Sequence, residues 1–193
     1  MSHSYFKIYK PYGYLSQFKY PLNRRKNKKL LGALYSFPEG SMSAGRLDED
    51  SEGLLLITTD GSFSYQITST GIEKEYYVQV DGSPDPEAIA QLKSGVYISI
   101  NGKEYLTKPA RVKKLNQEPC LPNRLKRIRD SRHGPSSWLS ITLTEGKFRQ
   151  VRKMTAAVGY PTLRLVRVRI GNIMIDQMDN GEVMAIRPAD VKA

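Results

Sequence analysis

The chain has 193 residues, 39% of them apolar, enough to bury a core as one domain or as two compact lobes sharing a cleft. Thirty lysines and arginines against nineteen aspartates and glutamates give a formal charge of +11, which favours a polyanionic partner, nucleic acid first. A single cysteine, Cys120, and two histidines, His3 and His133, exclude a disulfide framework and leave no spacing for a zinc or iron site, so a reducing, cytoplasmic setting without a metal is expected.

In chain order, Tyr5 to Tyr9 reads as a strand, broken by the proline and glycine of Lys10-Pro11-Tyr12-Gly13. The basic run Arg24 to Lys29 suits either a solvated loop or an arm that contacts phosphates, and Leu30 to Tyr35 reads as a short helical patch. A polar turn holding Asp48 leads into an apolar strand, Gly53 to Thr58, and Ser62 to Thr68 reads as a short helix. Lys74 to Val80 alternates, with Tyr76, Val78 and Val80 on one face. A helix starting near Pro84-Asp85-Pro86 buries Ala88, Ile89 and Leu92 and stops at Gly95.

Val96 to Ile100, Lys108 to Leu115 and Ser137 to Leu143 have strand character. The stretch from Asn116 to Pro135 is long for a loop and carries Arg124, Lys126, Arg127, Arg129 and Arg132, so it is expected to be a mobile arm that orders on RNA. Phe148 to Val158 reads as a helix, and Leu163 to Ile170 as a strand with one basic face formed by Arg164, Arg167 and Arg169. Many strands, few helices and no strict alternation predict an α+β fold with a mixed, largely antiparallel sheet. No apolar run reaches the length of a membrane span, the first ten residues lack the apolar core of a signal peptide, and no glycine-rich phosphate cradle is present, so neither a membrane nor a nucleotide cofactor is expected.

On local chemistry alone, Asp48 between apolar runs fits a tight connection as well as a site that turns one fixed anion toward a ligand. The segment GRLDEDSEGLLLITTDG, residues 45–61, resembles the signature GRLDxxSxGLLLLTNDG of the pseudouridine synthases, in the branch that modifies ribosomal RNA. Two further matches follow in order: KEYYV at 74–78 resembles that family's K-x-Y-x-V strand, and EGKFRQVRKM at 145–154 resembles its EGRNRQVRRM. The likeness continues through Gly159 to Gly171 and spans nearly the whole chain, with Thr59 standing where the family usually has asparagine.

The resemblance implies the same fold class and an isomerisation of uridine to pseudouridine in large-subunit (23S) ribosomal RNA, with no cofactor. It assigns Asp48 as the essential carboxylate, Tyr76 as an aromatic that stacks on the extruded uracil, and Arg152 as the cation beside the aspartate. Leu165 becomes an apolar wall, and Arg46 fills the gap left by the uridine or bonds its phosphate. Arg149 and Lys153 are expected to be helix-surface charges or phosphate contacts. Taken without the resemblance, Tyr76 is an ordinary strand aromatic, Leu165 a core leucine and Arg152 a helix-surface charge.

Relatives in this branch often carry a small RNA-binding domain of about sixty residues ahead of the catalytic part. The aspartate motif comes too early here for one, so recognition is expected to rest on a single catalytic domain in two lobes, acting as a monomer without an obligate protein partner. Two alternatives remain open from the residues: a non-catalytic RNA-binding or ribosome-assembly factor, and a synthase acting on small-subunit ribosomal RNA or tRNA.

Overall fold

The structure is a computed structural model and describes residues 3–20, 27–69, 71–128 and 133–190. In chain order the strands and helices are β1 (Tyr5–Lys10), β2 (Tyr14–Leu15), β3 (Lys29–Leu30), β4 (Met42–Ala44), β5 (Glu52–Thr58), α1 (Gly61–Thr68), β6 (Lys74–Asp81) and α2 (Pro86–Ser94). There follow β7 (Tyr97–Ile100), β8 (Lys103–Leu106), β9 (Arg111–Lys114), β10 (Ser136–Leu143), α3 (Gln150–Ala157), β11 (Thr162–Ile170), β12 (Ile173–Met174) and β13 (Val183–Ala185). Among the described residues the main sheet runs β13-β1-β5-β11-β6-β10-β9, with β4 added to β5 and β12 to β11. All its pairings are antiparallel except β11 with β5. The fold is therefore α+β with a mixed, largely antiparallel sheet.

Apolar side chains cover the sheet on both faces. On one, Leu55, Ile57, Tyr76, Val78 and Leu165 pack with Leu92 of α2 and Val151 and Met154 of α3. On the other, Leu54, Leu56 and Val166 pack with Phe63 and Ile67 of α1. Strand β5 is buried at every position, which is why it reads as an unbroken apolar run rather than an alternation. Strand β6 has only one face in the core, and its burial alternates as its sequence does.

Short polar signals fix the helix ends. Asp60 caps α1 by accepting from the backbone N–H groups of Ser62 and Phe63, and Asp85 caps α2 through Ala88, with Pro86 in the first turn. Asn101 and Gly102, both at positive φ, turn β7 back onto β8. Helix α3 starts at Gln150, later than its apolar pattern suggests, because Arg149 adopts the left-handed conformation (φ 53°) and breaks the helix before it.

Three sequence expectations need correction. Leu30 to Tyr35 is not an α-helix: Lys29 and Leu30 pair with β2, and a single 3-10 turn follows over Leu31–Ala33. The arginines of β11 do not form an exposed basic face. Arg164 and Arg167 are buried, and register shifts on either side of them let each find partners inside the protein. Nor does Arg124 belong to a free arm. Its guanidinium lies 4.3 Å from the Tyr12 ring, 3.3 Å from Glu52 Oε2, and donates to Leu163 O (3.3 Å). Arg24 to Lys26, Arg129 and Arg132 fall outside the described residues.

Candidate active site

Asp48 sits in the loop between β4 and β5, and its neighbours hold that loop from two sides. Ser16 accepts from Leu47 N–H (2.9 Å) and donates to Leu47 O (2.8 Å), while Gly13 N–H donates to Glu49 O (2.8 Å). Ser51 N–H closes the turn onto Asp48 O at 3.1 Å. Leu47 is thereby driven into the core, and the next side chain, Asp48, is left 27% exposed at a cleft of about 920 Å³.

Tyr76 and Leu165 form part of the cleft floor from adjacent strands. Both are inward-facing residues of the sheet, Tyr76 opposite Arg167 and Leu165 opposite Val78. Arg46 is exposed at the mouth. The structure thus brings Asp48, Tyr76, Leu165, Arg46 and Arg149 to one hollow, with Arg152 and Lys153 on the adjoining helix α3.

The cation beside Asp48 is not the one expected. Arg149 Nη1 lies 3.6 Å from Asp48 Oδ2, and the same guanidinium grips Asp50 with bonds of 3.0 and 2.9 Å. Arg152 instead donates to Asp50 O (2.8 Å) and lies 3.5 Å from Asp50 Oδ2. The left-handed turn at Arg149 accounts for this: the residue before α3 contacts Asp48, whereas Arg152, in the first turn of the helix, contacts Asp50 and meets Asp48 only through its charge. Burial acts to raise the Asp50 carboxyl, but the hydrogen bonds from Arg149 and the charges of Arg152 and Arg149 outweigh it and hold that carboxyl below its ordinary value.

Two cleft residues were not singled out from the sequence. Lys74 Nζ donates to Ile72 O (3.0 Å), and burial together with the charge of Arg167 pushes its ammonium down to about 8. Arg167, only 3% exposed, donates to Leu54 O (2.8 Å) and, at 3.4 Å, to Arg46 O, tying the aspartate loop to β5 and β11. The K-x-Y motif drew attention to its tyrosine, and its lysine was readable only as part of the same pattern.

A cleft with a sheet floor, an aromatic and an apolar wall, and arginines and lysines set among the carboxylates of the aspartate loop suits an enzyme that acts on nucleic acid. Residues 4–157 match the family model described as RNA pseudouridylate synthase. Ribosomal large subunit pseudouridine synthase E of Xanthomonas axonopodis pv. citri is 43% identical over 171 residues, covering 88% of this chain and 86% of that protein. The synthase E of Vibrio parahaemolyticus is 39% identical over 175 residues, covering 90% and 69%. A crystal structure of a pseudouridylate synthase superposes with a TM-score of 0.77 at 26% identity, covering 98% of this chain and 72% of the other. The chain belongs to the RNA pseudouridylate synthase family.

Proposed function

We propose that this protein isomerises a uridine to pseudouridine in large-subunit (23S) ribosomal RNA, with Asp48 as the reacting carboxylate. The reaction breaks the bond from ribose C1′ to uracil N1, joins C1′ to C5, releases the C5 proton and places a proton on N1. No other atom enters or leaves, so an anion, a way to hold the detached base and exclusion of water meet the chemical need. The observation that carries the reading is the convergence of Asp48, Tyr76 and Leu165 on one cleft whose surrounding charges are mostly cations.

In this reading the uridine leaves its stack and enters the cleft, where the Tyr76 ring lies against the uracil and Leu165 backs it. Arg149 orients Asp48, Arg152 steadies Asp50, and Arg46 meets the phosphate or fills the gap in the RNA. Lys153 serves the backbone at the rim. Recognition rests on this cleft and its edges, and the protein acts as a monomer with no obligate protein partner. The two synthase E relatives, by their names, act on the large ribosomal subunit, and the likeness over most of both chains supports the same substrate here.

The test is tritium release from 23S ribosomal RNA transcribed with 5-tritiated uridine, with small-subunit ribosomal RNA and tRNA transcripts alongside. The wild-type protein is expected to release tritium from the 23S transcript without added metal. Asp48→Asn is expected to release none while binding the RNA with unchanged affinity. Release by Asp48→Asn at the wild-type rate would remove Asp48 from the chemistry, and release only from another transcript would move the substrate.

A further inference from the structure

Phe148 is 64% exposed, yet it stands on a rigid loop at the rim of the cleft. Gln150, buried just behind it, accepts from Lys147 N–H through its side chain (2.9 Å), donates to Glu145 (2.5 Å), and its own N–H donates to Lys147 O (3.1 Å). Glu145 is in turn held by the Tyr105 hydroxyl (2.5 Å) and Lys108 N–H (3.0 Å). The loop is pinned on both sides of Phe148, and the left-handed turn at Arg149 sends Gln150 inward while the phenyl ring stays outside. An aromatic side chain that served the core would be turned in. This one is displayed.

Its surroundings are cationic. The Lys153 ammonium lies 5.2 Å from the ring centroid and is itself fixed by donating to Ser99 O of β7 (2.6 Å). Lys147 and Arg149 flank the ring in the chain. The ammonium lies over one face of this largely exposed ring, and the opposite face suits the base of an unpaired nucleotide, whose phosphate meets the cation. Apolar contact alone would not require the lysine, and phosphate contact alone would not require the ring.

Resting on the reading that this cleft takes RNA, we infer that Phe148 and Lys153 form a subsite for an unpaired nucleotide beside the target uridine, with the base stacked on the Phe148 ring and its phosphate on Lys153. The rigid loop makes the platform preformed, so little conformational freedom is lost when the base lands. The subsite adds affinity that does not depend on the identity of the base, because every base offers a π-face.

The test uses a short oligouridylate as the probe and the proteins F148A, F148L and F148W. F148A and F148L are expected to bind about 5- to 150-fold more weakly than wild type, and F148W to bind as wild type does. The native tryptophan, Trp138, is buried in β10, so the added indole of F148W reports the rim, and its emission is expected to be quenched as RNA saturates the protein. Wild-type affinity in F148L, or F148W emission that does not change at saturating RNA, would overturn the subsite. Failure of the functional reading would show separately, as a wild-type protein that binds the oligouridylate but releases no tritium from 23S transcripts.

Discussion

Arg149 holds Asp50 with two nearly equal bonds, 3.0 and 2.9 Å, and spends what remains of its reach on Asp48 at 3.6 Å. Asp50 thus decides where the guanidinium beside the reacting carboxylate sits. Asp50→Asn breaks the two-point grip, lets Arg149 close on Asp48 and removes the ion pair of Arg152, which keeps its bond to the backbone oxygen of residue 50. Single-turnover tritium release is expected to slow about 10- to 100-fold, while RNA affinity stays level or rises slightly with the loss of a negative charge. A wild-type rate in this variant would show that the Arg149 position is set by something else.

Lys74 gives the cleft a pH dependence. Its amine is charged below about pH 8 and neutral above, because burial and the charge of Arg167 both disfavour the ammonium. RNA binding that uses this charge is strongest below pH 8 and falls several-fold as pH rises through it. Lys74→Met is expected to bind more weakly at pH 7 and to show no such fall between pH 7 and 9. Fluorescence anisotropy with labelled RNA measures both curves, and parallel curves for the two proteins would exclude Lys74.

Gly53 stands where β5 meets β11, at φ 101°, and a β-carbon there would lie 2.8 Å from Arg167 N and from Val166 Cγ1, and closer still to Arg167 O. Backbone cannot step aside as a side chain can. Gly53→Ala is expected to cost about 3 kcal/mol or more of stability through strain and forced separation of the two strands. Urea denaturation reads the cost, and a change under about 1 kcal/mol would mean that the seam can open.

Glu52 is wholly buried and takes two bonds from Arg164, 2.9 and 3.1 Å, with Arg124 at 3.3 Å. Glu52→Gln leaves two guanidinium groups short of their counter-ion, and a loss of about 3 to 5 kcal/mol is expected. Amide exchange in residues 121–128 should accelerate in the same variant, because Glu52 fixes both Arg124 and Arg164, and Arg164 also donates to Pro122 O (2.7 Å). Exchange that stays at the wild-type rate would show that the segment is held without the Glu52 charge, by its bonds to Leu163 O, Arg164 and Asn180 and the Tyr12 ring.

The fold was legible where one face or one run dominates. Alternation in β6, the apolar run of β5 and the proline-bearing start of α2 all appear in the sequence as they do in space. The short strands β4, β8 and β13 were not legible, unlike β7 and β9, since their pairing comes from neighbours already in place rather than from their own pattern. At the site, the motif signalled Asp48 and Tyr76 but not which arginine reaches the aspartate. That depends on one left-handed residue, Arg149, which is neither glycine nor asparagine and carries no local sign of its conformation. The burial of Arg164 and Arg167 was equally hidden, because an arginine in a strand reads as exposed until a carboxylate from a distant segment, here Glu52, or a backbone carbonyl, here Leu54 O, is found opposite it.

Strand β11 is the middle member of the seven-strand path through the main sheet, yet it spans residues 162–170, far downstream of the two strands that it joins, β5 and β6. During vectorial synthesis the segments bearing Asp48 and Tyr76 emerge early and have no common neighbour to hold them together. Only after residue 170 has been added can β11 slot between β5 and β6 and draw those two side chains into register. The cleft is therefore absent until synthesis has passed residue 170, and a truncation after residue 160 would abolish the cleft rather than trim it.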